Sequence, residues 1–115
     1  MQNSSLSNIS GTATPYGVFT TQDIKYIKFG RIVVVTGWVD VGAVQPSEGY
    51  PTGNRYTVAT IPYTPYAKYA ALSGFCTNST TNADVLVEPG KITFKMTSSN
   101  PYPDVIYISG AFIMA

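Results

Sequence analysis

The residues of this chain best suited to bind a ligand are aromatic rings that stand close to carboxylate and amide side chains. Trp38 and Asp40 share one face of an extended segment, and two loop-like stretches hold the other such groups. Aromatic rings stack on the apolar faces of sugars while carboxylates and amides bind hydroxyl groups, so the combination is typical of a saccharide site. The candidate residues are Trp38, Asp40, Glu48, Tyr50, Asn54, Asn100, Tyr102 and Asp104.

Each aromatic candidate also has a purely structural interpretation. Trp38 follows a run of valines, where packing in the core or between subunits is the commoner role of a large ring. Tyr50 and Tyr102 lie in stretches rich in proline and polar residues, so we expect both of them on surface loops.

The titratable residues do not suggest an enzyme. The chain has six Asp and Glu residues, no histidine and a single cysteine, which excludes imidazole-based catalysis, the common zinc-ligand sets and an internal disulfide. Glycosidases need two carboxylates across a cleft, and no motif pairs the carboxylates here. Cys76 stands in an apolar segment and is expected to be a buried, inert thiol. We therefore expect a non-catalytic protein without a metal or cofactor.

Composition indicates one compact domain with little surface charge. The 115 residues are 44% hydrophobic and only 11% charged, with a net charge of +1. So small a charge does not attract phosphate backbones, and a nucleic-acid partner is not expected. The apolar runs are far shorter than the ~20 residues of a membrane helix, so we expect no membrane insertion. Sparse charge suits a surface that is partly covered by neighbouring subunits.

Residues 31–42 form the segment around which the fold must be built. Side chains alternate between the two faces of a strand, so its odd-numbered valines form a core face interrupted by Gly37. The opposite face begins with Ile32 and Val34 and becomes polar towards Asp40. We therefore expect one end of that face to be covered and the other to be open.

Further strands follow from the same alternation. Residues 23–29 and a turn at Gly30 predict a hairpin with the long strand. A loop is expected over residues 43–54 and a strand over 55–61. Residues 85–96 predict a second hairpin, with the turn at 88–91, Ile92, Phe94 and Met96 inward and Thr93 in water. The last strand, residues 105–114, is apolar on both faces, as in a strand that is central in a sheet or buried between subunits.

Two segments are less regular. Residues 62–74 are compatible with a short helix capped by Thr64, or with a proline loop followed by a strand, and we favour the loop and strand. Residues 1–15 are expected to form a polar linker or shaft connection, and residues 16–115 the head domain, with a first short strand within 15–20. The fold class predicted is all-β: a small antiparallel β-sandwich or jelly-roll-like barrel.

Four segments, taken in order, resemble the C-terminal head domains of bacteriophage tail-fibre and baseplate receptor-binding proteins. They are residues 26–37, residues 59–62 with Pro65, residues 85–92 and residues 108–113. The resemblance implies a compact β-sandwich or jelly-roll head that assembles as a homotrimer at the tip of the virion tail. It also implies non-covalent binding of a host cell-surface glycan and contacts with other tail or baseplate proteins.

The chain departs from that family's pattern at residues 61–66, Ile-Pro-Tyr-Thr-Pro-Tyr, which lack the expected glycine and arginine. The binding loops of the family vary, so no sugar-contacting residue is transferred by motif. The alternative is a bacterial carbohydrate-binding or structural β-sandwich module without catalytic activity.

Overall fold

A computed structural model of the chain describes residues 8–77, 82–97 and 103–115, and over these ranges the protein contains strands and no helix. The all-β prediction is confirmed. The nine strands are β1 (Ile9–Thr12), β2 (Thr14–Pro15), β3 (Gln22–Phe29), β4 (Ile32–Asp40), β5 (Arg55–Thr60), β6 (Ala70–Cys76), β7 (Ala83–Glu88), β8 (Lys91–Met96) and β9 (Val105–Ile113).

The long valine-rich strand, β4, is an interior strand of the sheet. β4 pairs antiparallel with β3 on one side and with β9 on the other. Its buried side chains are Val33, Val35 and Val39, followed by Val41 just beyond the strand. Gly37 allows β3 to approach closely, since a Cβ there would lie 2.1 Å from the carbonyl oxygen of Asp23. The alternation read from the sequence therefore places the core face correctly.

All the strands belong to one sheet that nearly closes into a barrel, in the order β1-β3-β4-β9-β6-β7-β8-β5-β2. β6 pairs with β7 through its first half and with β9 through its second half, which turns the sheet from one wall to the other. β1 and β2 flank Ala13 and pair with β3 and β5, respectively, so one stretch of chain joins the two ends of the sheet.

The N-terminal region differs from the expectation. A linker was expected over residues 1–15, of which residues 1–7 lie outside the described ranges. Within the remainder, Ile9–Thr12 and Thr14–Pro15 pair with the sheet. Residues 15–20 were expected to hold a first strand, but of these only Pro15 belongs to a strand. The physical reason is that backbone hydrogen bonds to β3 and β5 hold this polar segment, and such bonds need no apolar side chains.

Both predicted hairpins are confirmed. β3 and β4 pair in continuous register around Gly30, and β7 and β8 pair around Pro89 and Gly90. Gly90 has a φ of +75°, the conformation for which glycine is suited at that turn. Residues 61–69 form a loop that leads into β6, so the proline loop and strand are confirmed over the short helix.

One side chain of the second hairpin, that of Thr93, is buried although it was expected to be exposed to water. Thr93 is 1% exposed rather than in water. Its hydroxyl accepts a hydrogen bond from Arg55 Nη1 at 3.0 Å and donates one to Glu88 Oε2 at 2.7 Å. The side chains of the neighbouring strands cover the hydroxyl, which alternation along one strand does not reveal.

The last strand is central, as predicted, because β9 lies between β4 and β6. Only one of its apolar faces is buried, through Ile106, Ile108 and Phe112. Its other face is exposed, and the Ile32 end of β4, which we expected to be covered, is exposed beside it. In the single chain part of the outer wall of the barrel therefore consists of exposed apolar side chains.

Candidate functional site

The segments that hold the predicted site residues meet at one end of the barrel, which we call the loop end. There β4, β6 and β8 finish and β5, β7 and β9 begin, as the pairs Asp40–Val105, Cys76–Ile106 and Arg55–Lys95 show. Asn100 and Tyr102 lie outside the described residues. The other six candidates are placed, and they do not form one cluster.

Asp40 and Asp104 lie together at the loop end. The N–H groups of Gly42 and Ala43 donate hydrogen bonds to Asp40 Oδ1 at 3.1 and 3.2 Å. The carbonyl oxygen of Asp104 accepts hydrogen bonds from the N–H groups of Val41 and Gly42 at 2.9 and 2.8 Å. The Asp40 carboxylate therefore shapes the start of the long loop, while the Asp104 residue is exposed and its backbone anchors that loop.

Tyr50 is buried, which corrects its expected position on the surface of the loop. The side chain is 1% exposed and packs against Phe19, Tyr56 and Phe94. Burial, reinforced by Tyr56 and Asp40, raises the pKa of Tyr50 to about 12. A ring enclosed in this way is not available for stacking on a sugar, so Tyr50 organises the loop from beneath.

Glu48 and Asn54 are exposed members of the same loop. Glu48 Oε2 accepts a hydrogen bond from the hydroxyl of Ser47 at 3.1 Å, and the backbone N–H of Asn54 donates to the carbonyl of Pro51 at 3.2 Å. These contacts are within the loop. The two side chains remain candidates for polar contacts between this loop and a ligand, but they do not lie in the row of Trp38.

Trp38 instead belongs to a row of three aromatic side chains that cross adjacent strands. Trp38 of β4 is directly opposite Tyr107 of β9, which is directly opposite Phe75 of β6. Directly paired residues point to the same face of a sheet, so all three lie on the outer wall close to the loop end. Trp38 is partly buried, whereas Tyr107 is 49% and Phe75 is 57% exposed. We call these three residues the aromatic row.

The sequence analysis missed Tyr107 and Phe75. A signal was present, because each alternates with inward-facing residues along its strand. What the sequence could not supply was the register that places both beside Trp38. That register depends on strands separated by some 30 residues or more in the chain.

Polar side chains adjoin the aromatic row on the same face. Asp23 of β3 is opposite Trp38 and forms an ion pair of 2.7 Å with Lys25. The neighbouring row of the sheet presents the hydroxyls of Thr36, Ser109 and Ser73 on β4, β9 and β6. Strands lie about 4.8 Å apart, so the three rings span about 10 Å, the scale of a short oligosaccharide. Rings beside hydroxyls and a balanced ion pair suit a neutral, partly apolar ligand.

The remaining chemistry-bearing groups are separate from this surface. Cys76 is buried, as expected, and burial raises the pKa of its thiol. Over the described ranges, no three His, Cys, Asp or Glu residues are grouped so as to hold a metal ion. Nor does that part of the chain contain a long apolar helix that could cross a membrane.

No protein-family model matches this sequence, and no curated protein matches it either.

Proposed function

We propose that this protein is a non-catalytic saccharide-binding head domain that attaches a larger assembly to a cell surface. The observation that carries the proposal is the register that sets Trp38, Tyr107 and Phe75 side by side on an exposed sheet face. Sugar rings have apolar faces formed by C–H groups, and they stack on aromatic rings while their hydroxyls bind polar neighbours.

The charge of the surface supports the same class of ligand. The Asp23 carboxylate and the Lys25 ammonium lie 2.7 Å apart and balance each other beside the row. A strongly anionic polymer would gain little from such a surface, because no unpaired cation adjoins the three rings in the β3–β4–β9–β6 register. The ligand that fits best is a neutral glycan lying across the strands.

The setting that we propose is the tip of a bacteriophage tail fibre or baseplate, with a host cell-surface glycan as the receptor. The resemblance of residues 26–37, 59–62, 85–92 and 108–113 to receptor-binding heads supports it, as does the all-β barrel. In this setting the chain is a virion protein, works as a homotrimer and contacts other tail or baseplate proteins. Several weak sites on one rigid tip would gain avidity through effective concentration.

The experiment is a binding titration of purified host-envelope polysaccharides against three variants, Trp38→Ala, Tyr107→Ala and Phe75→Ala. Each variant is expected to lose about 1 kcal/mol, or roughly fivefold in affinity per site. Tyr16→Ala is the matched control, because Tyr16 is 53% exposed and lies outside the row. Binding that is equal in all four variants and the wild type would exclude the row as the site.

A bacterial carbohydrate-binding or structural module is the second candidate function. A carbohydrate-binding module would use the same aromatic row. The two functions are therefore distinguished by the oligomeric state of the protein and by the receptor that it binds. A multimer that binds intact host cells favours the receptor-binding head, whereas a monomer that binds only isolated polysaccharide favours the module. Release of reducing sugar from any glycan that binds would contradict the non-catalytic assignment.

A further inference from the structure

A second feature of the outer wall lies away from the loop end. Five large apolar side chains of β3, β4 and β9 are exposed there without interruption by charge. In the sheet, Phe29 is opposite Ile32 and Ile32 is opposite Ile113, while the next row pairs Ile27 with Val34. We call this set the apolar zone: Ile27, Phe29, Ile32, Val34 and Ile113.

The exposure of the apolar zone is large for an isolated chain. Its members are between 36% and 57% exposed, which amounts to roughly 450 Å² of apolar surface, near the largest patch that a typical monomer shows. Tyr66 and Tyr69, which are 71% and 48% exposed, extend the same surface at the Ile113 side. Together they bring it to roughly 750 Å², close to the ~800 Å² that each partner buries in a standard interface.

The shape of this surface suits another copy of the chain. A groove of about 390 Å³ runs between Tyr66 and Tyr69 on one side and Ala111 and Ile113 on the other. Beside it, Phe29 and Ile32 form an exposed apolar pair at the β3–β4 turn. An exposed apolar pair and a groove on the same surface allow the pair of one copy to enter the groove of the next.

Charge does not oppose such a contact. Two cations at the border of the surface lie near aromatic rings: the Arg31 guanidinium is 5.2 Å from the Tyr66 ring and the Lys68 ammonium 5.4 Å from the Tyr69 ring. A third, the Lys25 ammonium, pairs with the Asp23 carboxylate. An apolar centre with charged groups at its rim is the usual anatomy of a protein interface.

Association by a face is also favoured over association by a strand edge. The two strands at the ends of the sheet order, Ile9–Thr12 and Thr14–Pro15, are four and two residues long. Short edge strands offer few backbone groups for pairing with another chain. The apolar zone is therefore the stronger candidate for the contact between copies.

We propose that the apolar zone, with the groove lined by Tyr66 and Tyr69, is the surface through which copies of this chain associate. The inference rests on the assembly part of the proposed function and not on saccharide binding. It leaves the aromatic row near the loop end outside the contact, so an assembled protein would keep its glycan sites exposed.

The test compares the mass of the wild type in solution with that of the double variant Ile32→Asp/Ile113→Asp. Both residues are about half exposed, so the monomer tolerates the change, while two buried carboxylates would oppose the contact. We expect a multimer for the wild type and a 12.4 kDa monomer for the variant, with association weakened at least about 100-fold. Val18→Asp is the matched control, since Val18 is 61% exposed and lies outside the zone.

A second measurement keeps the inference testable if the double variant misfolds. The thiol of Ile32→Cys should be alkylated at least about fivefold more slowly at a concentration where the protein is assembled than after dilution, by mass action. The thiol of Val18→Cys should react equally fast at both concentrations. A monomeric wild type, a folded double variant that keeps the multimer, or equal alkylation of Ile32→Cys at both concentrations would overturn the inference. If the folded double variant is monomeric and still binds polysaccharide, assembly and glycan binding are separate properties.

Discussion

The phenolic hydroxyl of Tyr50 donates a hydrogen bond to the backbone carbonyl of Val41. The contact joins the long loop to Val41, the residue just beyond the end of β4, from inside the barrel. It explains why a tyrosine in a polar, proline-containing stretch is buried: the ring completes an aromatic cluster, and its hydroxyl satisfies a buried carbonyl. The loop beside the candidate site is thereby packed from below.

Tyr50→Phe is expected to lower the free energy of unfolding by about 1 kcal/mol, because it removes one buried hydrogen bond and leaves the ring in place. Chemical denaturation at neutral pH measures the change. Tyr16→Phe is the control, since Tyr16 is 53% exposed and its substitution should be neutral. Equal stability of Tyr50→Phe and the wild type would show that the hydroxyl contributes nothing.

The same residue predicts a dependence of stability on alkaline pH. Burial raises the pKa of Tyr50 from 10.0 to about 12 in the folded state, so the unfolded chain loses this proton first. The contribution to stability is complete below pH 10 and is lost as the pH rises from 10 through 12, by up to about 3 kcal/mol. Unfolding of wild type and Tyr50→Phe should be compared over that range. A loss of the same size in the variant would assign the effect to other groups.

Thr93→Val should destabilise the wall formed by β5, β7 and β8. The hydroxyl links Arg55 to Glu88, so its removal leaves two partly buried groups with one partner fewer, at a cost of about 1–2 kcal/mol. Thermal unfolding measures this cost. Arg55 also pairs with Asp84 at 3.0 Å and should stay in place. The exposed Thr97→Val is the control and should change stability by less than about 0.5 kcal/mol.

Gly37→Ala is expected to lower the free energy of unfolding by about 3 kcal/mol or more, because the strand pair β3–β4 must separate to admit a methyl group. The φ of Gly37 is +154°, and the added Cβ would also lie 2.6 Å from the Cα of Ile24. Gly53→Ala separates steric overlap with the neighbouring strand from backbone strain. Gly53 has a φ of +94° with open space around it, so it should show backbone strain alone, about 1–2 kcal/mol. Comparable losses would contradict the close-approach role of Gly37.

The Cys76 thiol should react slowly with alkylating reagents in the folded protein, since it is buried and its pKa is raised. Its rate of modification should rise with denaturant along the unfolding curve. Fast, stoichiometric modification under native conditions would place the thiol at the surface instead. Because the chain has one cysteine, the total extent of thiol modification measures this single group.

The structure places the residues that the sequence suggested for a saccharide site in different surroundings. Trp38 was selected because of its residue type and its position on the outward face of β4, and it does belong to an aromatic row. Tyr50 was selected on loop composition, which does not report whether a loop folds inward. Tyr107 and Phe75 were not selected, because their proximity to Trp38 is a property of pairing between distant segments.

The sequence by itself determined the strands from β3 to β9, the two hairpins and the core face of β4. These depend on local rules: alternation with period two, the stiffness of β-branched side chains, and the turn preferences of proline and glycine. Only the tertiary structure decided which strands are neighbours, that residues 9–15 join the sheet, and that Trp38, Tyr107 and Phe75 share a wall. Register between distant strands is selected by the packing of the whole core, and no single segment contains that information.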